Sequence, residues 1–276
     1  MKGVEGAVMD SPIRWAGSKR ALLPRLRAAM PTDYSRYIEP FAGSACLFFE
    51  ASPRSAILGD FNGELIRAFQ HLQIDVEAVI REIRRWDEDG GDYYDVRALQ
   101  PNIGSSAEAA RFLYLNRFGF NGVYRTNRLG HYNVPRGART GKLPSGDDWR
   151  RVSRGLSTAK LRHQDFKRTI ALSRAGDFLY VDPPYVTTAR STYGEYGYGS
   201  FESSKMQQLR ASLQRADSRG VKIMLSFGSI EGFEDLLEAW TVVEIETTRK
   251  IAAKLESRSR VGTEILAVNY SARSLI

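Results

Sequence analysis

The chain has 276 residues, of which 42% are hydrophobic and 26% charged, enough for one large domain or for one domain with an insertion. Its single cysteine, Cys46, excludes an intrachain disulfide and a cysteine-rich zinc site, and its three histidines lack zinc-motif spacing, so we expect no metal. No apolar stretch is long enough for a membrane helix or a signal peptide, so we expect a cytoplasmic protein.

Positive charge is concentrated in the middle of the chain. The net charge is +8, yet residues 111–168 alone contain 14 lysines or arginines and 3 acidic residues. A near-neutral body with one basic region is typical of a surface that follows the phosphates of a nucleic acid. A solvated basic face without a partner is the alternative.

A basic arm, residues 14–19, precedes the first predicted strand. Trp15 could cover a flat ring and Lys19 could bind a carboxylate, although a packed tryptophan on a basic arm would explain both. Strand 37–39 then leads through a turn at Gly43 into an apolar helix, and a second strand, 56–58, is followed by Asp60.

This strand–turn–helix pattern is typical of a nucleotide-cofactor site. Asp60 lies about 20 residues after the turn, where an acid can bind ribose hydroxyls. A single glycine is a weak signal, but the acid at that distance strengthens it. Because the turn lacks a P-loop lysine and the full dinucleotide glycine set, a nicotinamide cofactor is disfavoured.

A helical region and then a loop-rich region follow. We expect Asn62 to cap the next helix, and amphipathic patterns predict further helices at 75–86, 93–100 and 106–118. Residues 119–146 are dense in Gly, Pro, Asn and Arg and are predicted as a loop or hairpin. Aromatic, amide and arginine side chains interleave within 113–122, and such residues read or wedge DNA bases, although a structural loop would also use them.

Strands and helices alternate again from about residue 160, with strands predicted at 177–182, 221–226, 241–248 and 263–270. This alternation predicts an α/β fold with a mostly parallel sheet covered on both faces. The predicted organisation is a catalytic domain of residues 1–64 and 160–276, interrupted by an inserted, mostly helical recognition domain of residues 65–159.

The strand at 177–182 ends in a tetrapeptide, Asp182, Pro183, Pro184 and Tyr185. Prolines fix φ and lack an N–H, so the segment presents a carboxylate, bare carbonyls and a flat ring. Such a rim suits an exocyclic amine on a flat base, which has hydrogens to donate and a face to stack. A strand followed by a proline turn is the alternative.

Together these motifs resemble the Dam-type DNA adenine-N6 methyltransferases. The resemblance covers residues 14–19, 39–49, 59–66, 112–135 and 182–185, in the family's order. It implies a class I methyltransferase, Rossmann-like sheet, S-adenosylmethionine as cofactor, and an adenine flipped out of double-stranded DNA as substrate. A GATC-like target is the family default.

The resemblance also assigns the site residues. The catalytic set is Asp182, Pro183, Pro184 and Tyr185. The cofactor contacts are Trp15, Ala16, Gly17, Lys19, Glu39, Pro40, Phe41, Gly43, Ser44, Asp60, Phe61, Asp165, Phe166 and Asp182. The DNA contacts are Arg14, Arg117, Phe120, Asn121, Val123, Arg125, Asn127, Asn133, Pro135 and Arg136. A late basic stretch adds Arg258 and Arg260 as a predicted phosphate clamp.

The sequence departs from the family pattern at three positions. The cofactor turn usually reads Phe-x-Gly-x-Gly, and Ala45 stands at the second glycine; an alanine there should be tolerated if that residue is already helical, because only a positive φ demands glycine. Arg14 replaces the usual lysine, and Phe120 replaces the usual tyrosine.

Three alternative functions stay open from the sequence. The tetrapeptide could serve N4 of cytosine or an RNA adenine, although an aspartate at its head favours adenine over cytosine. A catalytically inactive DNA-binding module is the alternative from another class. We expect a nucleoid-associated monomer in a bacterial or phage-infected cell, with roles in restriction-modification, a phage or a host circuit left open.

Overall fold

The structure is a computed structural model that describes residues 10–88, 92–138, 140–184, 203–228, 232–248 and 261–272. Within these residues one sheet is built from β1 (Tyr37–Glu39), β2 (Ala56–Asp60), β3 (Ala159–His163), β4 (Phe178–Val181), β5 (Lys222–Phe227), β6 (Thr241–Thr248) and β7 (Val261–Val268). The strand order is β3-β2-β1-β4-β5-β7-β6. Neighbours from β3 to β5 are parallel, and β7 is antiparallel to β5 and β6. The predicted α/β class with a mostly parallel sheet is confirmed.

Helices occupy both faces of this sheet. They are α1 (Leu23–Ala29), α2 (Cys46–Ala51), α3 (Gly63–Ile74), α4 (Val76–Glu88), α5 (Tyr93–Ala98), α6 (Ser106–Phe118), α7 (Gly146–Leu156), α8 (Phe166–Ala171), α9 (Ser203–Asp217) and α10 (Glu234–Leu237), with short 3₁₀ turns at Lys19–Leu22 and Phe120–Gly122. Among the described helices, none is long and apolar enough to cross a membrane.

Side-chain caps explain where several of these helices begin. The Asn62 side chain accepts the N–H of Leu65 at 3.0 Å, which confirms it as the cap of α3. At α7, Ser145 and Asp148 form a capping box in which each side chain accepts a backbone N–H of the other.

Two apolar cores lie on the two faces of the sheet, because successive strand residues point to opposite sides. On one face, Leu58 and Tyr180 of the sheet share a continuous core with Ile83 of α4 and Tyr114 of α6. On the other face, Ile38 and Leu179 join the core formed by α8, α9 and α10. The helical region between β2 and β3 therefore has no separate core of its own among the described residues.

The strand order indicates which edge of the sheet is suited to ligand binding. The chain moves from β1 outward to β2 and β3 and then crosses back to β4, on the other side of β1. Open α/β sheets bind ligands in the crevice at such a switch point, outside the carboxyl ends of the strands. Glu39 ends β1, Asp60 ends β2 and Asp182 follows β4, so all three acids lie at this edge.

Candidate active site

Asp182 lies against Lys19 at the carboxyl end of β4. The Lys19 ammonium is 2.7 Å from Asp182 Oδ1 and 3.2 Å from Glu264 Oε1, and it also donates to the Gly17 carbonyl at 3.4 Å. Glu264, on β7, accepts the Ser226 hydroxyl at 3.0 Å. The side chains of Lys19 and Glu264 are 6% and 5% exposed, so the ammonium is buried between two carboxylates.

Sequence reasoning missed Glu264. Its signal was weak but present: it is a single acid within the apolar run of residues 261–268. An acid in a strand usually faces solvent, but Glu264 is buried, and buried charges are normally paired.

Burial shifts the protonation of this acidic group of residues. It raises the pKa of Asp182 to about 6, against the lowering effect of Lys19, and the charge of Glu264 raises it further. Burial also raises the pKa of Glu39 well above its usual range; the Tyr37 hydroxyl, which donates to Glu39 at 2.8 Å, opposes this shift, and the charges of Asp182 and Asp60 add to it. Such a site favours a positively charged ligand.

The turn after β1 is held by Asp60. Its carboxylate accepts the backbone N–H of Gly43 at 2.9 Å and that of Asn62 at 2.8 Å. Gly43 has φ of +45°, and a Cβ there would lie 2.9 Å from Cδ1 of the Trp15 ring. The position therefore requires glycine both for its conformation and for the close approach of the indole.

The condition under which an alanine at position 45 would be tolerated, a right-handed helical backbone, is not met. Ala45 precedes α2 with φ 50° and ψ 32°, in the left-handed region. The residue before the helix thus has a left-handed backbone although it carries a methyl group. The conformation costs roughly 1–2 kcal/mol for a residue other than glycine.

The other predicted cofactor residues surround the same crevice. Phe41 stacks on Phe166 with ring centroids 5.2 Å apart, and Asp165 caps α8 by accepting the N–H of Lys167 at 2.9 Å. Phe61 is 53% exposed, so most of its ring can meet a ligand. Pro40 and Ser44 are buried, and Ala16 and Gly17 are partly buried in the arm before α1.

A hairpin, residues 123–136, presents most of the predicted DNA contacts. Asn133 donates its N–H to the carbonyl of Arg125 at 3.1 Å, and Asn127 donates to His131 at 2.8 Å. Tyr124, Tyr132 and Val134 are buried, whereas the residues that alternate with them are exposed or partly buried. The exposed or partly buried set includes Arg125, Asn127, Asn133, Pro135 and Arg136, whereas the partly buried Val123 packs against the core. Beside the hairpin, Phe120 is 44% exposed, and the exposed Asn121 has φ of +53°.

Asn116 fastens the basic arm to α6. Its Oδ1 accepts the N–H of Arg14 at 2.9 Å, and its Nδ2 donates to the Arg14 carbonyl at 2.6 Å. A Cβ on Gly122 would lie 2.6 Å from the Cβ of Arg14, so the backbones are in close contact. Trp15 then stacks on Tyr124 of the hairpin, with ring centroids 6.1 Å apart. The arm thus connects the cofactor turn to the hairpin.

Three guanidinium groups meet where the arm crosses α6. Arg14 donates to the carbonyl of Arg117 at 2.9 Å, and Arg20 donates to the carbonyl of Ser11 at 2.7 Å. The buried Nε of Arg117 has no hydrogen-bond partner within the described part of the chain. Burial lowers the pKa of Arg117, and the charges of Arg14 and Arg20 lower it further. An anion placed here would relieve this repulsion.

Several predicted residues lie outside the described ranges. They are Tyr185, the segment 186–200, Arg258 and Arg260. Pro183 is buried and Pro184 partly buried directly after Asp182. Among the residues that the structure describes, no three or more His, Cys, Asp or Glu side chains are grouped as a metal site would require.

Comparison with known sequences decides the family. Residues 15–251 match the family described as D12 class N6 adenine-specific DNA methyltransferase. The chain belongs to this family. The predicted resemblance is therefore confirmed, and the protein is an adenine-specific DNA methyltransferase.

Relatives of this methyltransferase align over nearly its whole length. The Type II methyltransferase M1.LlaDCHI of Lactococcus lactis subsp. cremoris is 34% identical, over 93% of this chain and 94% of its own. The Retron Ec67 DNA adenine methylase of Escherichia coli is 29% identical, over 95% and 92%. The DNA adenine methylase of Haemophilus influenzae is 28% identical, over 93% and 92%.

Proposed function

We propose that the methyltransferase transfers a methyl group from S-adenosylmethionine to N6 of an adenine that is flipped out of duplex DNA. The observation that carries this proposal is the position of Asp182, which follows β4 at the same sheet edge as the Gly43 turn and Asp60. Burial raises the pKa of Asp182 to about 6, and two prolines follow it. Methyl donor and acceptor amine would thus meet at one crevice.

The residues at this edge suit S-adenosylmethionine, which carries two positive charges and one carboxylate. Asp60 and Asp182 supply negative charge, and Glu39, whose pKa is raised, supplies a buried carboxyl group. Asp60 accepts only two N–H groups from the protein, so its carboxylate could also accept hydrogen bonds from ribose hydroxyls. The exposed ring of Phe61 could stack on the cofactor's adenine. A cofactor carboxylate would share Lys19 with the protein's own acids. When bound, the cofactor supplies a methyl group activated by its sulfonium.

Asp182 and Pro183 would prepare the target amine. The adenine amino group is a poor nucleophile, because its lone pair is delocalised into the ring. The Asp182 carboxylate and the Pro183 carbonyl would accept its two hydrogens and draw the nitrogen towards tetrahedral geometry. A carboxylate with a raised pKa would also take the proton that the amine releases. We propose that Tyr185 stacks on the flipped base, which would offset part of the few kcal/mol that extrusion costs.

DNA binding is proposed for the hairpin and for the arginine cluster. The exposed side chains of Arg125 and Pro135 would meet base edges, and Phe120 would enter the opened stack. Arg14, Arg20 and Arg117 together would hold a backbone phosphate. We therefore assign target recognition to residues 65–159 and catalysis to residues 1–64 and 160–276.

A GATC-like target and a monomeric enzyme complete the proposal. The target rests on the resemblance of residues 112–135 to the Dam-type enzymes. Relatives include both DNA adenine methylases and Type II methyltransferases by name, so a restriction-modification role fits this proposal.

The test is nucleoside mass spectrometry after incubation with S-adenosylmethionine and duplex DNA from a host without adenine methylation. We expect N6-methyladenine from the wild type, and a fall of at least about 10²-fold in turnover for Asp182→Ala. Duplex binding by the variant should largely survive. Equal loss of binding and turnover would make Asp182 a structural residue, and sequencing of the methylated DNA would confirm or refute GATC.

A further inference from the structure

Glu264 is a buried acid beside the reaction centre that none of the proposed steps uses. It is fixed from two directions, by the Ser226 hydroxyl on β5 at 3.0 Å and by the Lys19 ammonium at 3.2 Å. Lys19 in turn contacts Asp182 at 2.7 Å. Removing a carboxylate from water is costly, so a glutamate kept at 5% exposure within the sheet needs such partners.

We propose that Glu264 is a positioning residue that holds Lys19 and balances its charge, so that the ionised Asp182 carboxylate is a strong acceptor for the target amine. This inference rests on the role proposed for Asp182. A lysine paired with Asp182 alone would form a neutral pair, whose carboxylate is a weaker acceptor for a further donor. Because Glu264 shares the ammonium, the three groups together carry a net negative charge.

The geometry also explains how Lys19 stays in place during the reaction. An ammonium has three N–H donors, and Asp182, Glu264 and the Gly17 carbonyl all lie within 3.4 Å of the Lys19 nitrogen. When Asp182 turns towards the base, Glu264 and Gly17 still hold the ammonium. Lys19 therefore does not have to follow Asp182 into the space that the base will occupy.

Protonation of Asp182 distinguishes this role from a structural one. The titratable and charged groups that act on it, or on which it acts, are Lys19 before α1, Glu264 on β7, Glu39 on β1, Tyr180 on β4 and Cys46 on α2. The pKa of the Cys46 thiol is raised to about 11 by burial, and that of Tyr180 is raised well above its usual value, so both are neutral near pH 7. A substitution at Glu264 therefore removes a charge near Asp182 while Lys19 itself is not substituted.

The experiment compares Glu264→Gln, which removes the charge, with Ser226→Ala, which removes only the hydroxyl that holds Glu264. Turnover is measured from pH 5 to pH 8.5 with saturating cofactor and unmethylated duplex DNA. For Glu264→Gln we expect kcat to fall about 10-fold, with less than about a twofold change in KM for DNA. The acid limb of the profile should move to lower pH, because the charge of Glu264 contributes to the raised pKa of Asp182. Ser226→Ala should leave the acid limb unchanged.

Binding provides a second readout that does not depend on turnover. The experiment compares binding of two duplexes that differ only at the target position, which is first mapped by sequencing. One duplex has adenine there, and the other has the unsubstituted purine base, which lacks the 6-amino group. The wild type should bind the adenine duplex more tightly, and Glu264→Gln should narrow this difference. Ser226→Ala should retain most of it.

Three outcomes would overturn the proposal: wild-type kcat in Glu264→Gln, an unchanged acid limb in that variant, or an undiminished preference for adenine. If Glu264→Gln does not fold, Glu264→Asp provides the test instead, because it keeps the carboxylate charge on a side chain that is one methylene shorter. Reduced kcat with an unchanged acid limb would then support positioning, and wild-type kcat would overturn it. Full turnover by Asp182→Ala would instead refute the proposed role of Asp182 itself.

Discussion

The connection between the basic arm and α6 can be tested by one nearly isosteric change, Asn116→Asp. Asn116 is 4% exposed and makes two hydrogen bonds to the backbone of Arg14. The variant keeps the acceptor for the Arg14 N–H but replaces the donor with an oxygen, facing a carbonyl that was bonded at 2.6 Å. Loss of the bond costs about 1 kcal/mol, and a buried carbonyl left unsatisfied costs roughly 1–2 kcal/mol more.

We therefore expect Asn116→Asp to lower the free energy of unfolding by about 2–3 kcal/mol in urea titrations at pH 7.5. The exposed Asn102 provides a matched control, and Asn102→Asp should change the free energy of unfolding by less than about 0.5 kcal/mol. Asn116→Asp should also weaken cofactor binding in calorimetry, because Trp15 belongs to the arm and lies against Gly43. Equal stability of the two variants would refute the argument that Asn116 holds the arm.

Two further predictions concern Glu39 and Arg20. The folded-state pKa of Glu39 is raised, so the folded protein binds an extra proton above the unfolded pKa and loses stability as pH rises towards the folded pKa. Glu39→Gln should therefore be more stable than the wild type at pH 8, with the advantage gone near pH 4; a pH-independent difference in thermal unfolding would contradict this. Arg20→Ala should reduce the slope of log binding constant against log salt concentration for duplex DNA by about 0.9. The control Arg25→Ala, at an exposed arginine, should leave this slope unchanged. Equal slopes for the two variants would show that Arg20 does not contact a phosphate.

Much of the fold follows from local signals in the sequence. Each of three predicted apolar strands ends near an acid, and because the carboxyl ends of parallel strands lie together, the predicted parallel sheet is sufficient to account for Glu39, Asp60 and Asp182 at one sheet edge. Asn62 as a cap was equally readable. The helix α7 could also have been predicted, because Ser145 and Asp148 have capping-box spacing and precede Trp149, Val152 and Leu156 at helical intervals.

Other features of the site depend on contacts that are distant in sequence. Glu264 contacts Lys19 only because β7 pairs with β5, and no local sequence pattern predicts this contact. The left-handed conformation of Ala45 could not be predicted from residue type, which favours a right-handed backbone there. The three arginines come together where an N-terminal arm crosses a helix a hundred residues later, a distance that spacing rules do not reach.

The continuous core between the sheet and the helices α3 to α7 limits how the target recognition proposed for this region can diverge. A region that shares its apolar interior with the catalytic sheet cannot be exchanged as a cassette without repacking residues such as Tyr114 and Tyr180. The exposed positions of the hairpin can change without repacking the core, because the core contacts of the hairpin are made by the buried neighbours Tyr124 and Tyr132. With the DNA-reading role proposed for the hairpin, new sequence preferences should therefore arise by replacement of single outward side chains such as Arg125, while the buried residues beneath them stay unchanged.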